Sequence, residues 1–62
     1  MIARVQHIRA ANLCTRGARV WFRNRGWSWT DFLRDGLPVE RLRETGDALA
    51  MRVADAAEKD AR

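Results

Sequence analysis

Apolar residues recur at three- and four-residue spacing in short stretches, punctuated by Gly17, Gly26, Gly36, Pro38 and Gly46. No stretch alternates in the manner of a strand. The pattern predicts an all-α fold, a compact bundle of four or five short helices in one small domain. A first helix, from about Val5 to Leu13, sets Val5, Ile8 and Ala11 on one face, with Asn12 beside them. A second places Cys14, Ala18, Trp21, Phe22 and Arg25 on one side and Arg16, Arg19 and Arg23 on or near the other. Thr15 is its candidate cap and Gly26 its stop. Gly17 leaves a single helix over 5–25 open, since glycine costs only about 1 kcal/mol relative to alanine there; a break near residues 14–15 is the preferred reading.

Ser28-Trp29-Thr30-Asp31 has the form of a capping box and starts a short helix through Arg34, with Phe32 and Leu33 facing inward. Gly36 ends it. Pro38 fits the first position of the next helix, whose residues 39–44 turn Leu42 inward. Asp47 caps a last helix from Ala48 to about Lys59, where Leu49, Val53 and Ala56 or Ala57 mark the buried stripe and Ala50 and Met51 its edges. Residues 60–62 are expected to fray. Trp21, Phe22, Trp29, Phe32, Leu42, Leu49 and Val53 are the expected core.

Composition sharpens this picture. A 62-residue chain buries only about 60% of the surface it exposes when unfolded, so its stability margin is thin. The single Cys14 excludes an intrachain disulfide, and Cys14 and His7 are the only soft ligands, so no metal and no cofactor is expected. Self-association or docking on a partner is the remaining support. No run of about 18 apolar residues is present to span a membrane. Residues 1–7 lack a signal peptide's apolar stretch, and with the lone cysteine this points to a reducing cytoplasm.

Charge divides the chain in two. Residues 1–30 carry six arginines and no carboxylate; residues 31–62 hold all eight carboxylates against six cations. The basic half suits an anionic partner. Arginine supplies eleven of the twelve cations, which suits bidentate recognition of phosphate or carboxylate, although a GC-rich genome accounts for abundant Arg and Ala equally well.

Among residues with chemistry, Trp21 and Trp29 read as core, whereas Trp27, just after Gly26, reads equally as an exposed contact or a staple over the next helix. His7 has no carboxylate or cysteine within two turns on its helix and reads as solvent-facing. Cys14, aligned with Ala18 and Trp21, reads as a small buried hydrophobe. Asp31/Asp35 and Glu40/Glu44 intermingle with Arg34, Arg41 and Arg43 and read as solvated surface. Residues 32–42 partly match a DNA-binding helix-turn-helix. Phe32 and Asp35 are wrong for its packing, however, and Glu40 and Glu44 repel phosphate from the would-be recognition helix.

The order Cys14-Thr15-Arg16-Gly17-Ala18-Arg19, Trp21-Phe22, Gly26, Trp29 with Phe32-Leu33, Gly36-Leu37 and Thr45-Gly46-Asp47-Ala48 resembles short proteins encoded in prophages and tailed phages of proteobacteria. The resemblance spans nearly the whole chain as spaced single residues. It implies a phage or prophage origin, which would make the reducing cytoplasm that of a bacterial host, and carries over no activity and no functional residue. With no nucleophile–base pair in view, the chain is expected not to be an enzyme. The leading expectation is a protein-interaction module, binding a viral or host protein through Arg16, Arg19, Arg23, Arg25 and Trp27, as a homodimer or on a larger partner, in the cytoplasm or on a virion. The alternative is a small nucleic-acid binder making weak, sequence-indifferent phosphate contacts.

Overall fold

A computed structural model describes residues 1–61. Among them five helices and one two-stranded antiparallel pair follow in the order β1 (Ile2–Ala3), α1 (Val5–Ala10), α2 (Thr15–Asn24), α3 (Trp29–Asp35), β2 (Leu37–Pro38), α4 (Val39–Glu44) and α5 (Ala48–Asp60). The mostly helical class expected from the periodicity is the one observed.

α1 and α2 are separate helices, as preferred, but the break spans residues 11–14 rather than lying at 14–15. Asn12 adopts φ 62°, a left-handed turn that Asn tolerates better than most side chains, and the Arg52 guanidinium donates to Ala11 O at 2.8 Å across the break. α1 is therefore shorter than the spacing suggested. Cys14, not Thr15, is the capping position of α2, and Thr15 is its first helical residue.

The remaining caps follow the sequence. Ser28 Oγ accepts from the Asp31 amide at 3.1 Å, and Asp47 Oδ1 accepts from the amides of Leu49 and Ala50 at 2.8 and 3.3 Å. Both satisfy amides that a helix start leaves free. Pro38 sits one position earlier than expected, outside α4, with ψ 134°. Its extended conformation continues β2 instead. Ile2 pairs with Pro38 and Ala3 with Leu37, and the Val39 amide donates to Met1 O at 3.0 Å. Two-residue strands are too short to show a period of two, so this pairing left no trace in the pattern.

Gly36 is what lets β1 approach. Its φ is +77°, and a Cβ there would lie 2.3 Å from Ile2 Cγ2 and 2.9 Å from Ala3 O. Only glycine meets both the backbone and the spacing requirement.

The core lies between α5 and the rest. Ala50, Val53, Ala54 and Ala57 form the buried stripe of α5, and Ile8, Ala11, Phe22, Phe32, Val39 and Leu42 close over it with Ala3. The stripe is turned by about one residue from the expected one. Ala50 faces in, while Leu49 is 47% exposed, and Leu33 of α3 is likewise 52% exposed. Small alanines let α5 lie close to α1 and α4, and the large apolar volume comes from Phe22 instead. Its ring meets Trp29 and Trp27 edge-on at 5.2 and 5.6 Å and Phe32 at 4.8 Å. Trp21 and Trp29, expected in the core, are half-buried walls around that ring.

Two further expectations are overturned. His7 is buried, at 6% exposure, because its ring is used at both nitrogens: Nδ1 accepts the Arg4 amide at 2.8 Å and Nε2 lies 3.0 Å from Asp60 Oδ2. It takes the place of the glutamate in a capping box, with a carboxylate that sequence distance hid. Asp60 is accordingly held at the end of α5 rather than frayed; residue 62 lies outside the described residues. Cys14 is exposed, since a capping position stands at the helix's mouth.

The acidic pairs are surface features, as expected. Arg34 bridges Asp31 and Asp35 at 3.1 and 3.0 Å. Arg43 reaches across to Asp55 and Glu58 of α5 instead of its helix neighbours. No helix is long and apolar enough to cross a membrane among the described residues.

Candidate interaction surface

α2 carries two different stripes, each at the i, i+3, i+4, i+7 spacing that places residues on one helix side. Arg16, Arg19, Val20 and Arg23 line a depression completed by Gly26, Trp27 and Trp29. Cys14, Gly17, Ala18 and Trp21 line an apolar cleft of about 200 Å³ whose far wall includes Leu49 and Val53.

The depression gathers four of the five expected contact residues. Arg16, Arg19 and Arg23 make no ion pair among the described residues, and no carboxylate lines the depression. Three guanidiniums with no carboxylate beside them over two helical turns give the depression a positive field. Arg25 stands apart from them. Its Cζ lies 4.8 Å from the Trp21 ring centroid, and its charge helps hold Asp47 down. Val20 and Trp29 were missed as members of the site. Val20 follows Arg16 by four residues and precedes Arg23 by three, so helical spacing alone places it in the stripe; Trp29 reaches the site only through the turn at 25–28.

The aromatic rings are largely committed to one another. Trp21 packs edge-on against Trp27 at 5.4 Å and against Phe22 at 5.7 Å, and the Arg41 guanidinium lies 5.1 Å from the Trp27 centroid. Such cation–π and edge contacts occupy the ring surfaces that a stacked base needs. The indole N–H of Trp21 donates to Asp47 Oδ2 at 3.3 Å, which fixes one wall of the apolar cleft.

Asp47 and Cys14 beside these surfaces, and Asp60 at the end of α5, are shifted from their ordinary values. The Trp21 N–H, then the Ala50 and Leu49 amides and the Arg25 charge, lower the Asp47 carboxyl. The His7 ring lowers Asp60 in the same way. The backbone N–H groups of Gly17 and Arg16 lower the Cys14 thiol at the start of α2, as helix N-termini do for anions. No group of three or more His, Cys, Asp or Glu side chains is placed to hold a metal ion among the described residues.

Comparison of the chain with protein-family models, curated proteins and solved structures finds no match.

Proposed function

We propose that this chain is a non-enzymatic protein-interaction module of phage or prophage origin that binds an acidic segment of a viral or host protein in the basic depression on α2. The observation that carries the reading is the unpaired row Arg16, Arg19 and Arg23 with the apolar Val20 in its midst. A row of cations alone attracts any polyanion, whereas an exposed apolar residue among them gains free energy only against an apolar contact, which a protein segment offers and a phosphate backbone does not. The committed tryptophan rings favour a protein over a stacked single strand for the same reason. Assembly of a virion or modulation of a host factor, in the host cytoplasm, is the setting this reading implies.

Pull-down from phage-infected cells, followed by mass spectrometry, tests it by comparing the parent with an Arg16→Glu, Arg19→Glu, Arg23→Glu variant. An acidic protein retained by the parent and lost by the variant is the expected result; equal recovery by both rejects the depression as the binding surface. Nucleic acid is the alternative partner. Three phosphate contacts predict a slope of log affinity against log salt near about −2.7 on duplex DNA. Sub-micromolar binding with that slope at physiological salt replaces the protein reading.

A further inference from the structure

Where the two stripes of α2 meet, Gly17 at the edge of the cleft, Val20 at the edge of the depression and Asn24 form a line spaced i, i+3, i+7, all exposed. It is uncharged in a helix otherwise studded with arginine. We infer that this line is the floor of a helix-docking groove, and that its occupant is an acidic amphipathic helix of a different protein, laid along Gly17 and Val20 with its apolar residues in the neighbouring cleft. The inference rests on the proposed protein-binding role and adds the form of the bound segment.

Gly17 is the first observation. Glycine is the poorest helix former after proline, and it is normally kept where the backbone needs positive φ or where a neighbour leaves no room. Neither holds here. Gly17 is absent from the positive-φ residues, and a Cβ built on it meets nothing within 4 Å. What its missing side chain does provide is close approach of another backbone from the solvent side, as at small-residue helix crossings.

The second observation is what flanks Gly17. On one side the cleft presents Leu13, Trp21 and the exposed Leu49 as an apolar slot, large enough at about 200 Å³ for one or two aliphatic side chains by comparison with cavities that hold a benzene-sized group. On the other side stand Arg16, Arg19 and Arg23, unpaired among the described residues. Neither cleft nor depression is lined by a carboxylate. The complementary object is a helix with an apolar stripe and carboxylates beside it. The line from Gly17 to Asn24 covers two turns, so a partner helix of about 10–14 residues matches its length.

A second copy of the chain fits less well. Its described helices turn their apolar stripes into their own core, and Asp31, Asp35, Asp55 and Glu58 are taken by Arg34 and Arg43. Glu40 and Glu44 lie on α4, whose Val39 and Leu42 are buried.

The test uses a synthetic Leu/Ala/Glu helical peptide of about 18 residues, with leucines at three- and four-residue spacing and glutamates along the flank, and a counterpart in which lysine replaces every glutamate. Both are titrated into the isotope-labelled chain and followed by NMR. The Glu peptide is expected to shift Gly17, Val20 and Leu49 and to bind at least about tenfold more tightly than the Lys peptide. Gly17→Leu should weaken it by about tenfold or more without lowering the melting temperature, because leucine is the better helix former. Arg16→Glu with Arg23→Glu should weaken it comparably. Binding that is lost in the arginine variant but kept in Gly17→Leu overturns the groove and leaves the basic depression standing. Binding indifferent to the arginines overturns the depression as well. No binding of the Glu peptide, equal binding of both peptides, or a dimer in sedimentation that Gly17→Leu dissolves, overturns the inference.

Discussion

His7 Nε2 lies 3.0 Å from Asp60 Oδ2, joining the first turn of α1 to the last turn of α5 across almost the whole chain. With Nδ1 accepting the Arg4 amide at 2.8 Å, the ring proton resides on Nε2 and is donated to the carboxylate. His7→Phe keeps the volume but leaves the Arg4 amide without its partner. The expected loss is about 1–3 kcal/mol, read from denaturant unfolding. Asp60→Asn, at an exposed position, should cost much less than His7→Phe; equal losses for the two would assign the stabilisation to the α1–α5 link rather than to the cap.

Phe22 is the packing centre. It is 4% exposed and meets four other aromatic rings, so Phe22→Ala should remove about 3–5 kcal/mol, a large part of the 5–15 kcal/mol that stabilises small domains. Trp29→Ala, at the half-buried wall, is expected to cost clearly less. Thermal melting by circular dichroism orders the two, and a Trp29 variant less stable than the Phe22 variant would move the centre of the core to α3.

Two glycines should respond with opposite sign. Gly36→Ala forces a positive-φ residue against Ile2 and Ala3 and should detach β1, lowering the melting point and freeing the Val39 amide to exchange with solvent. Gly17→Ala meets open space and should raise stability by about 0.5–1 kcal/mol. Hydrogen exchange and melting on the same pair of variants check both halves.

The acid limb of stability is set in part by Asp47 and Asp60. Both carboxyls are lowered on folding, by the Trp21 N–H and by His7 respectively. The unfolded chain, with aspartates near about pH 3.9, therefore takes up protons first as the pH falls. The stabilisation from these groups is full above about pH 5 and is lost as the pH drops through the lowered native values. Asp47→Asn retains the capping oxygen but turns an NH2 toward the Trp21 N–H, so it should lower the melting temperature at pH 7 while flattening the fall as the pH drops below about 4. A parallel fall in parent and variant excludes Asp47 from that limb.

Helix positions were legible because their signals are local: Ser28 and Asp47 cap, Gly36 stops, and Ile8, Phe22, Phe32, Leu42 and Val53 recur at helical spacing. What was illegible depends on distance or on degeneracy. The β1–β2 pair and the His7–Asp60 bond join residues far apart in sequence. In α5 alanine is so frequent that several stripes fit, and a turn of one residue exchanges Leu49 for Ala50. The basic row was readable from Arg16, Arg19 and Arg23, and helical spacing already set Arg25 on the other side with Trp21. Its guanidinium lies over Trp21 one helical turn earlier, whereas the Asp47 charge reaches it only through tertiary packing.

The pairing of Ile2–Ala3 with Leu37–Pro38 makes folding of the described residues a long-range event. Ala3 is fully buried against β2 and α5, elements that lie far along the chain from it. Closing that contact requires the intervening chain to be present and its loop entropy to be met. Without α5 the buried residues Ala3, Ile8, Val39 and Leu42 lose the stripe they close over, so the described elements fold together rather than one by one. A chain cut in the turn at residues 25–28 should yield two fragments that are each unstructured alone and acquire helix only when mixed.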